Sequence, residues 1–197
     1  MSTSRLSALL VSSFALLLPA CGVPDTGAAA QALNDSRDSD DDRHTPAPTN
    51  IPPGLAVGAN EKLKLRLGAE GVQIYTCTAP TATTGYAWVF KAPEANLFDE
   101  RARFAGSHFL GPTWQYKDGS KITGVVKARA TVDATAIPWL LLTATSTGLP
   151  GKLAEVTSIQ RVSTSGGLAP ATGCDAAHVG AEARVPYTAD YYFYVLR

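Results

Sequence analysis

The sequence predicts a mainly β fold: a single antiparallel β-sandwich or barrel-like domain of about eight strands with at most one short helix. Three observations support this prediction. Short segments in which apolar and polar residues alternate recur after residue 54. Turn-forming Gly and Pro, 17 and 13 of the 197 residues, are spread along the chain. No segment repeats its apolar residues with the 3.6-residue period of a helix.

The first strands of the predicted domain follow residue 60. Leu63, Leu65 and Leu67 alternate with charged residues, a pattern typical of a half-buried strand. Residues 68–71 read Gly-Ala-Glu-Gly and favour a turn, and residues 72–78 continue as a β-branched and aromatic strand. The two segments together predict a β-hairpin.

Further strands are predicted by the same alternation or by runs of apolar and β-branched residues. They cover residues 86–91, 113–117, 122–132, 137–144, 157–164 and 190–196. A short helix fits best within residues 93–104, and residues 118–120, Asp-Gly-Ser, provide a turn.

Alternation also assigns individual side chains to faces. In residues 122–132 it places Lys127 and Arg129 on the outer, polar face. Residues 191–194 read Tyr-Tyr-Phe-Tyr, so two of these aromatic side chains point inward and two point outward or lie under a loop. Arg161 falls in the middle of a strand, where a carboxylate such as Asp190 would allow its burial.

The first 21 residues resemble a bacterial export signal. Arg5 precedes an apolar stretch at residues 6–18, which is too short to span a bilayer. Leu18-Pro19-Ala20-Cys21 resembles a lipobox, in which the cysteine becomes a lipidated N-terminus. We therefore expect an exported, membrane-anchored lipoprotein of the cell envelope. Cleavage near residues 28–32 is the alternative, and it would give a secreted soluble protein.

The export signal is followed by a linker and then by the folded domain. Residues 22–53 are rich in Ala, Asp, Ser and Pro and have no apolar period, so we expect a disordered linker. Residues 54–197 form the β domain. The chain carries 17 Lys and Arg against 17 Asp and Glu, which gives no electrostatic reason to expect a nucleic-acid partner.

Three cysteines are present. If Cys21 carries lipid, Cys77 and Cys174 remain as an even pair in an oxidising compartment, and we expect them to form a disulfide. Two free buried thiols are the alternative.

Several short sequences occur in an order that resembles a known family. They include G-V-Q-I-Y-T-C at residues 71–77, H-F-L-G-P-T-W at 108–114 and V-P-Y-T-A-D-Y-Y-F-Y at 185–194. Over residues 51–197 the chain resembles the domain of unknown function 3455, found in exported bacterial and fungal proteins. The resemblance implies no established activity.

Residues 108–120 hold the densest mixture of polar and aromatic side chains. We expect Trp114 and Tyr116 at the rim of the sheet, where they would contact a glycan or another envelope component. The alternative is that both are core residues and that His108 caps a turn. A catalytic reading makes His108 and Asp118 the acid-base pair of an extracellular hydrolase or lyase acting on carbohydrate or ester.

Other chemistry has little support in the sequence. No G-x-G-x-x-G motif is present for a dinucleotide, no G-x-S-x-G for a serine nucleophile, and no H-E-x-x-H or C-x-x-C for a metal, so no cofactor is expected. His178 lies four residues after Cys174, either as half of a Cys-His pair or as a surface histidine beside a disulfide. The function expected is an envelope binding or structural module.

Overall fold

The computed structural model describes residues 46–82 and 84–197, which form an eight-stranded antiparallel β-barrel. The strands are β1 (Glu61–Thr78), β2 (Ala87–Phe98), β3 (Phe104–Phe109), β4 (Thr113–Tyr116), β5 (Lys121–Ala130), β6 (Trp139–Ser146), β7 (Ser158–Gly166) and β8 (Glu182–Leu196). Within the described residues the only helical element is a 3-10 turn, Pro53–Leu55. The predicted mainly β fold is confirmed. The signal segment, Cys21 and most of the predicted linker lie outside the described residues.

The strands follow one another around the barrel in chain order. Each pairs antiparallel with the next, and β8 pairs with β1 to close the ring. The closing ladder runs from Glu61 opposite Leu196 to Thr76 opposite Glu182. In the part of the chain described here, no helix is both long and apolar enough to cross a membrane.

The hairpin predicted around residues 68–71 is wrong, because β1 runs without a turn from Glu61 to Thr78. Gly71 lies opposite Ala95 of β2. A Cβ atom added to Gly71 would lie 2.2 Å from the carbonyl oxygen of Glu94 and 2.5 Å from the Cα of Ala95. This glycine therefore permits a close approach of two strands.

The short helix predicted within residues 93–104 is also wrong. Strand β2 continues to Phe98, and Asp99 then stabilises a turn. Its Oδ1 accepts hydrogen bonds from the backbone N–H groups of Arg101 and Arg103, at 3.0 and 2.9 Å. The chain returns as β3, a strand that the sequence analysis missed.

Apolar side chains fill one half of the barrel, where the first half of β1 meets the end of β8. The largest fully buried side chains of this cluster include Leu67, Leu97, Ile122, Leu153 and Phe193. Burial of one such side chain stabilises the fold by about 1.5–3 kcal/mol relative to exposure. This packed half is a rigid base for the other half of the interior.

A second apolar cluster lies on the outer surface. Tyr192 and Tyr194 point out of the barrel, and Ile51 and Val57 of the preceding segment pack against the cluster that they form. Gln160 donates a hydrogen bond from Nε2 to the carbonyl oxygen of Leu55 at 2.6 Å and accepts one from the Tyr194 hydroxyl at 2.6 Å. The predicted alternation is confirmed, since Tyr191 and Phe193 point inward.

The barrel wall has a gap beside the short β3–β4 hairpin. Strand β3 pairs with β2 only over residues 95–98, and β4 pairs with β5 only over residues 121–123. On the edge that faces this hairpin, residues 87–94 of β2 and residues 124–130 of β5 have no ladder partner. On their other edges these strands pair with β1 and β6. We call this opening the side gap. Pro93 lies on the free edge of β2, where the lack of an N–H group costs no ladder hydrogen bond.

The predicted Cys77–Cys174 disulfide is confirmed, with an S–S distance of 2.04 Å. It joins the end of β1 to the long connection between β7 and β8. Side-chain hydrogen bonds also hold this connection to the barrel: Tyr75 donates to the carbonyl oxygen of Gly167 at 2.6 Å, and Trp88 donates to that of Thr172 at 2.9 Å. The connection is therefore fixed beside the unfilled half of the barrel.

Candidate functional site

A cavity of about 300 Å³ occupies the half of the barrel nearer the disulfide. Its apolar lining comes from Phe90, Pro93, Pro112, Val126, Ile137, Pro138, Leu140 and Leu142. Its polar and aromatic lining comes from Gln73, Tyr75, His108, Trp114, Arg129, Arg161 and Tyr191. Phe90 and Pro93 of β2 and Val126 and Arg129 of β5 lie along the side gap, so the cavity opens there. Two guanidinium groups and no carboxylate belong to this wall among the described residues.

An aromatic floor closes the cavity on the side of the packed core. His108 and Trp114 are register partners on β3 and β4, and their rings stack with centroids 4.2 Å apart at an interplanar angle of 14°. Tyr191 meets both rings edge-on, at 5.2 and 5.4 Å. All three side chains are buried because the β3–β4 hairpin forms part of the barrel wall.

The residues predicted for the sheet rim therefore lie in different places. Trp114 is 1% exposed and belongs to the cavity wall, while Tyr116 packs against the apolar core and does not line the cavity. Gly111 and Pro112 interrupt regular pairing only at the hairpin tip. Alternation along β4 then turns Trp114 and Tyr116 to the same side, which is the inside of the barrel.

His108 is neutral at ordinary pH. Its Nδ1 donates a hydrogen bond to the carbonyl oxygen of Thr113 at 2.9 Å, which leaves Nε2 as an acceptor. Burial lowers the pKa of His108 to about 3, against a raising effect of this hydrogen bond, and the charge of Arg161 lowers it further. A neutral imidazole held in one tautomer suits a structural or ligand-orienting role.

The structure does not bring His108 and Asp118 together. Asp118 lies in the turn after β4, where its carboxylate accepts hydrogen bonds from the backbone N–H and hydroxyl of Ser120 at 2.8 and 2.6 Å. It also accepts one from the backbone N–H of Lys152 at 2.6 Å. Asp118 therefore joins the turn after β4 to the loop that contains Lys152.

Arg161 is the charged group of the cavity. The expected ion pair with Asp190 is wrong, because Asp190 points outward and pairs with Arg66 at 2.8 Å. Arg161 instead points inward from β7 and donates from Nε and Nη2 to the carbonyl oxygen of Pro138, at 3.2 and 2.8 Å. It makes no ion pair with any carboxylate within residues 46–82 and 84–197.

The charge of Arg161 acts on its neighbours in the cavity. Burial raises the pKa of Tyr75 and of Tyr191, and the guanidinium of Arg161 opposes the rise in both cases. The same holds for Tyr187, whose pKa burial raises well above its ordinary value. The interior of this half of the barrel is therefore a positive environment.

Several buried polar atoms around the cavity lack a hydrogen-bond partner among the described residues: Gln73 Nε2, Trp114 Nε1, and the hydroxyls of Tyr187 and Tyr191. The hydroxyls of Tyr187 and Tyr191 lie close enough to each other to affect their pKa values, as do Gln73 near Tyr187 and Arg161 near Tyr191. None of these contacts has the geometry of a hydrogen bond. An unpartnered buried group costs about 1–3 kcal/mol. Such groups usually face water or a ligand.

Sequence reasoning missed most of the cavity wall, and Gln73 and Arg129 illustrate why. Gln73 is in phase with the inward Leu67 and Ala69 of β1, so alternation alone could have identified it as a buried polar side chain. The prediction that Arg129 lies on the outer face is wrong, because the pairing of β5 with β6 shifts between Val126 and Ala128. This β-bulge reverses the alternation and places Arg129 in the cavity wall.

The remaining sequence candidates lie elsewhere. Cys174 is held in the disulfide and has no thiol to act as a nucleophile, and exposed His178 contacts Asp175 at 2.7 Å. Among the residues that the structure describes, no group of three or more His, Cys, Asp and Glu side chains is placed to hold a metal ion.

Comparison with known proteins identifies a family. A family model described as "Protein of unknown function (DUF3455)" matches residues 58–195. The chain therefore belongs to this family, as the sequence resemblance predicted. No curated protein and no solved structure matches the chain.

Proposed function

We propose that this member of the DUF3455 family is an exported binding protein that holds one small, mainly apolar molecule inside its barrel. The observation that carries the proposal is the cavity itself, whose mainly apolar wall includes a few polar side chains, Arg161 among them. A wall of this composition is typical of small-molecule sites, where a few polar groups orient an apolar ligand. It favours an apolar molecule over a glycan.

The size of the cavity fits this role. Eight-stranded barrels have an interior that side chains can fill or that holds one small ligand. Here side chains fill one half and leave about 300 Å³ in the other. An apolar cavity of about 150 Å³ is sufficient for benzene, so the space suits a molecule of about two rings.

The side gap supplies a route for exchange. The edges of β2 and β5 there have no ladder partner, so a ligand can pass between them without breaking the hydrogen bonds of the ring. The opening is bordered by apolar side chains, among them Phe90, which is 50% exposed, and Val126, which is 39% exposed.

Location outside the cytoplasm is part of the proposal. It is supported by the resemblance of residues 1–21 to an export signal and by the disulfide, since structural disulfides persist in oxidising compartments. We propose further that lipid on Cys21 anchors the protein to the membrane and that the chain between Cys21 and the barrel is a tether.

The test uses 2-naphthalenemethanol and 2-naphthoate as probes, each titrated into the purified protein by isothermal calorimetry. Val126→Phe places a larger side chain in the cavity wall at the side gap. Val125→Phe is the matched control, because its neighbour Val125 is 72% exposed and does not line the cavity.

We expect at least one probe to bind with 1:1 stoichiometry, and Val126→Phe to weaken binding at least tenfold while Val125→Phe leaves it unchanged. Melting curves of both variants check that they fold. Absence of binding by both probes, or equal effects of the two variants, would contradict the proposal.

A further inference from the structure

We propose that the molecule bound in the barrel is an organic carboxylate with a planar apolar body, and that its carboxylate accepts hydrogen bonds from Arg161. The inference deepens the proposed function and rests on it. It starts from the charge of the wall: Arg129 and Arg161 line the cavity, and no carboxylate of the described residues lines it.

Arg161 is placed to receive an anion. Its guanidinium has five N–H donors, and two of them, on Nε and Nη2, are directed at the carbonyl oxygen of Pro138. The other N–H groups have no anionic partner in residues 46–82 and 84–197. The side chain is half-buried, and it lines the cavity from β7. The planar fork of an arginine matches the two oxygens of a carboxylate.

The buried groups without a hydrogen-bond partner near the cavity are mainly donors, which leaves no surplus acceptor there. Gln73 Nε2 and Trp114 Nε1 can only donate, and both belong to side chains that are at least 97% buried, at 3% and 1% exposure. The Tyr191 hydroxyl can donate as well. A carboxylate supplies acceptor lone pairs for the N–H groups of Arg161 that are not directed at Pro138.

The aromatic floor favours a flat body. His108 and Trp114 both line the cavity with their rings stacked, and Tyr191 meets them edge-on. At the entrance Tyr75 and Phe90 form a second edge-to-face pair, with centroids 5.8 Å apart. Flat apolar molecules pack against such surfaces by offset stacking or edge contact.

One charge is enough for this site. Arg129 is exposed, whereas the guanidinium of Arg161 is the one that affects the pKa of Tyr75, His108 and Tyr191 inside the cavity. A single inward cation balances a singly charged carboxylate. A doubly charged phosphate monoester would keep an unbalanced negative charge in the interior.

The experiment compares three probes that share one ring system: 2-naphthoate, 2-naphthalenemethanol and 2-naphthylmethylammonium. Dissociation constants are measured by calorimetry on the purified wild-type protein. We expect the carboxylate to bind at least about tenfold more tightly than the alcohol, because hydrogen bonds to a charged group are the stronger ones. We expect the ammonium probe to bind most weakly.

Variants then assign the preference to Arg161. Arg161→Met should remove the preference for carboxylate over alcohol while leaving the affinity for the alcohol within about twofold, and Arg161→Lys should restore part of it. Lys127→Met is the matched control and should retain the preference, because Lys127 is an exposed cation of β5 that does not line the cavity. The wild-type comparison needs no variant, so it remains decisive if Arg161→Met does not fold.

The outcomes separate the two proposals. Equal binding of carboxylate and alcohol, or tightest binding of the ammonium probe, overturns the carboxylate inference and leaves the proposed binding function standing. Retention of the preference in Arg161→Met, or its loss in Lys127→Met, also overturns it. Absence of binding by all three probes overturns the proposed function itself.

Discussion

The neutral His108 in the barrel interior predicts that the protein loses stability in mild acid. Its pKa is about 3 in the folded state and 6.5 in the unfolded chain. Below pH 6.5 the unfolded state therefore binds a proton that the folded state excludes. Stability contributed by the neutral ring is fully present above the unfolded pKa and is lost as the pH falls toward 3.

The magnitude follows from the two pKa values. Each pH unit well below 6.5 and above about 3 removes about 1.4 kcal/mol from the free energy of unfolding. From about pH 7.5 to about pH 5 the loss amounts to about 2 kcal/mol. Carboxylates whose pKa is lowered in the folded state, such as Glu61 and Asp118, add their own losses only at lower pH.

His108→Asn removes the titrating group and keeps a donor in place of Nδ1 for the carbonyl oxygen of Thr113. Urea unfolding of wild type and variant is followed at several pH values, with the disulfide intact. The variant is less stable throughout because it lacks the ring stacked on Trp114. The informative quantity is the pH dependence, which should be about 2 kcal/mol smaller in the variant between about pH 7.5 and 5.

His178→Asn is the control, since His178 is an exposed histidine outside the barrel interior. The pH dependence should be reduced in His108→Asn and not to the same extent in His178→Asn. Parallel pH profiles for wild type and His108→Asn would refute the conclusion that His108 is buried in its neutral form.

Two further predictions concern the cysteines. The double substitution Cys77→Ala and Cys174→Ala should lower the free energy of unfolding by up to about 4–5 kcal/mol, because the disulfide closes a loop over a sequence separation of 97 residues; urea unfolding measures this, and equal stability with and without the bond would contradict it. Cys21→Ser should move the protein from the membrane fraction to the soluble fraction of expressing cells, because it removes the proposed lipid anchor; identical fractionation of the two proteins would exclude the anchor.

Period-two patterns predicted the class of fold and most of the strands. The predicted number of strands equals the observed number because two errors cancel: β1 was divided into two strands, and β3 was missed. The glycines at residues 68 and 71 suggested a turn and divided β1 in two, whereas Gly71 is required by a neighbouring strand that a local pattern does not show. Strand β3 was missed because Phe104–Phe109 contains Gly, Ser and His and has little β-branched character. The disulfide was predicted on the condition that Cys21 carries lipid, which leaves Cys77 and Cys174 as one pair.

The site was less predictable, because it exists only when the ring is closed. His108 and Trp114 were recognised as chemically unusual, but local turn signals placed them at a rim rather than inside the barrel. Arg161 was assigned a plausible partner in Asp190, yet the two side chains leave their strands on opposite faces of the sheet. A one-residue bulge in β5 was enough to move Arg129 from the outer face to the cavity wall.

The pairing of the first strand with the last has a consequence for how the chain folds. Because β8 (Glu182–Leu196) completes the ring by pairing with β1, the barrel cannot close until this strand is available. Contacts of such large sequence separation form slowly, since a long loop must be ordered before they contribute. A chain that lacks β8 therefore cannot close the ring, and the interior of the barrel forms only after this strand has paired with β1.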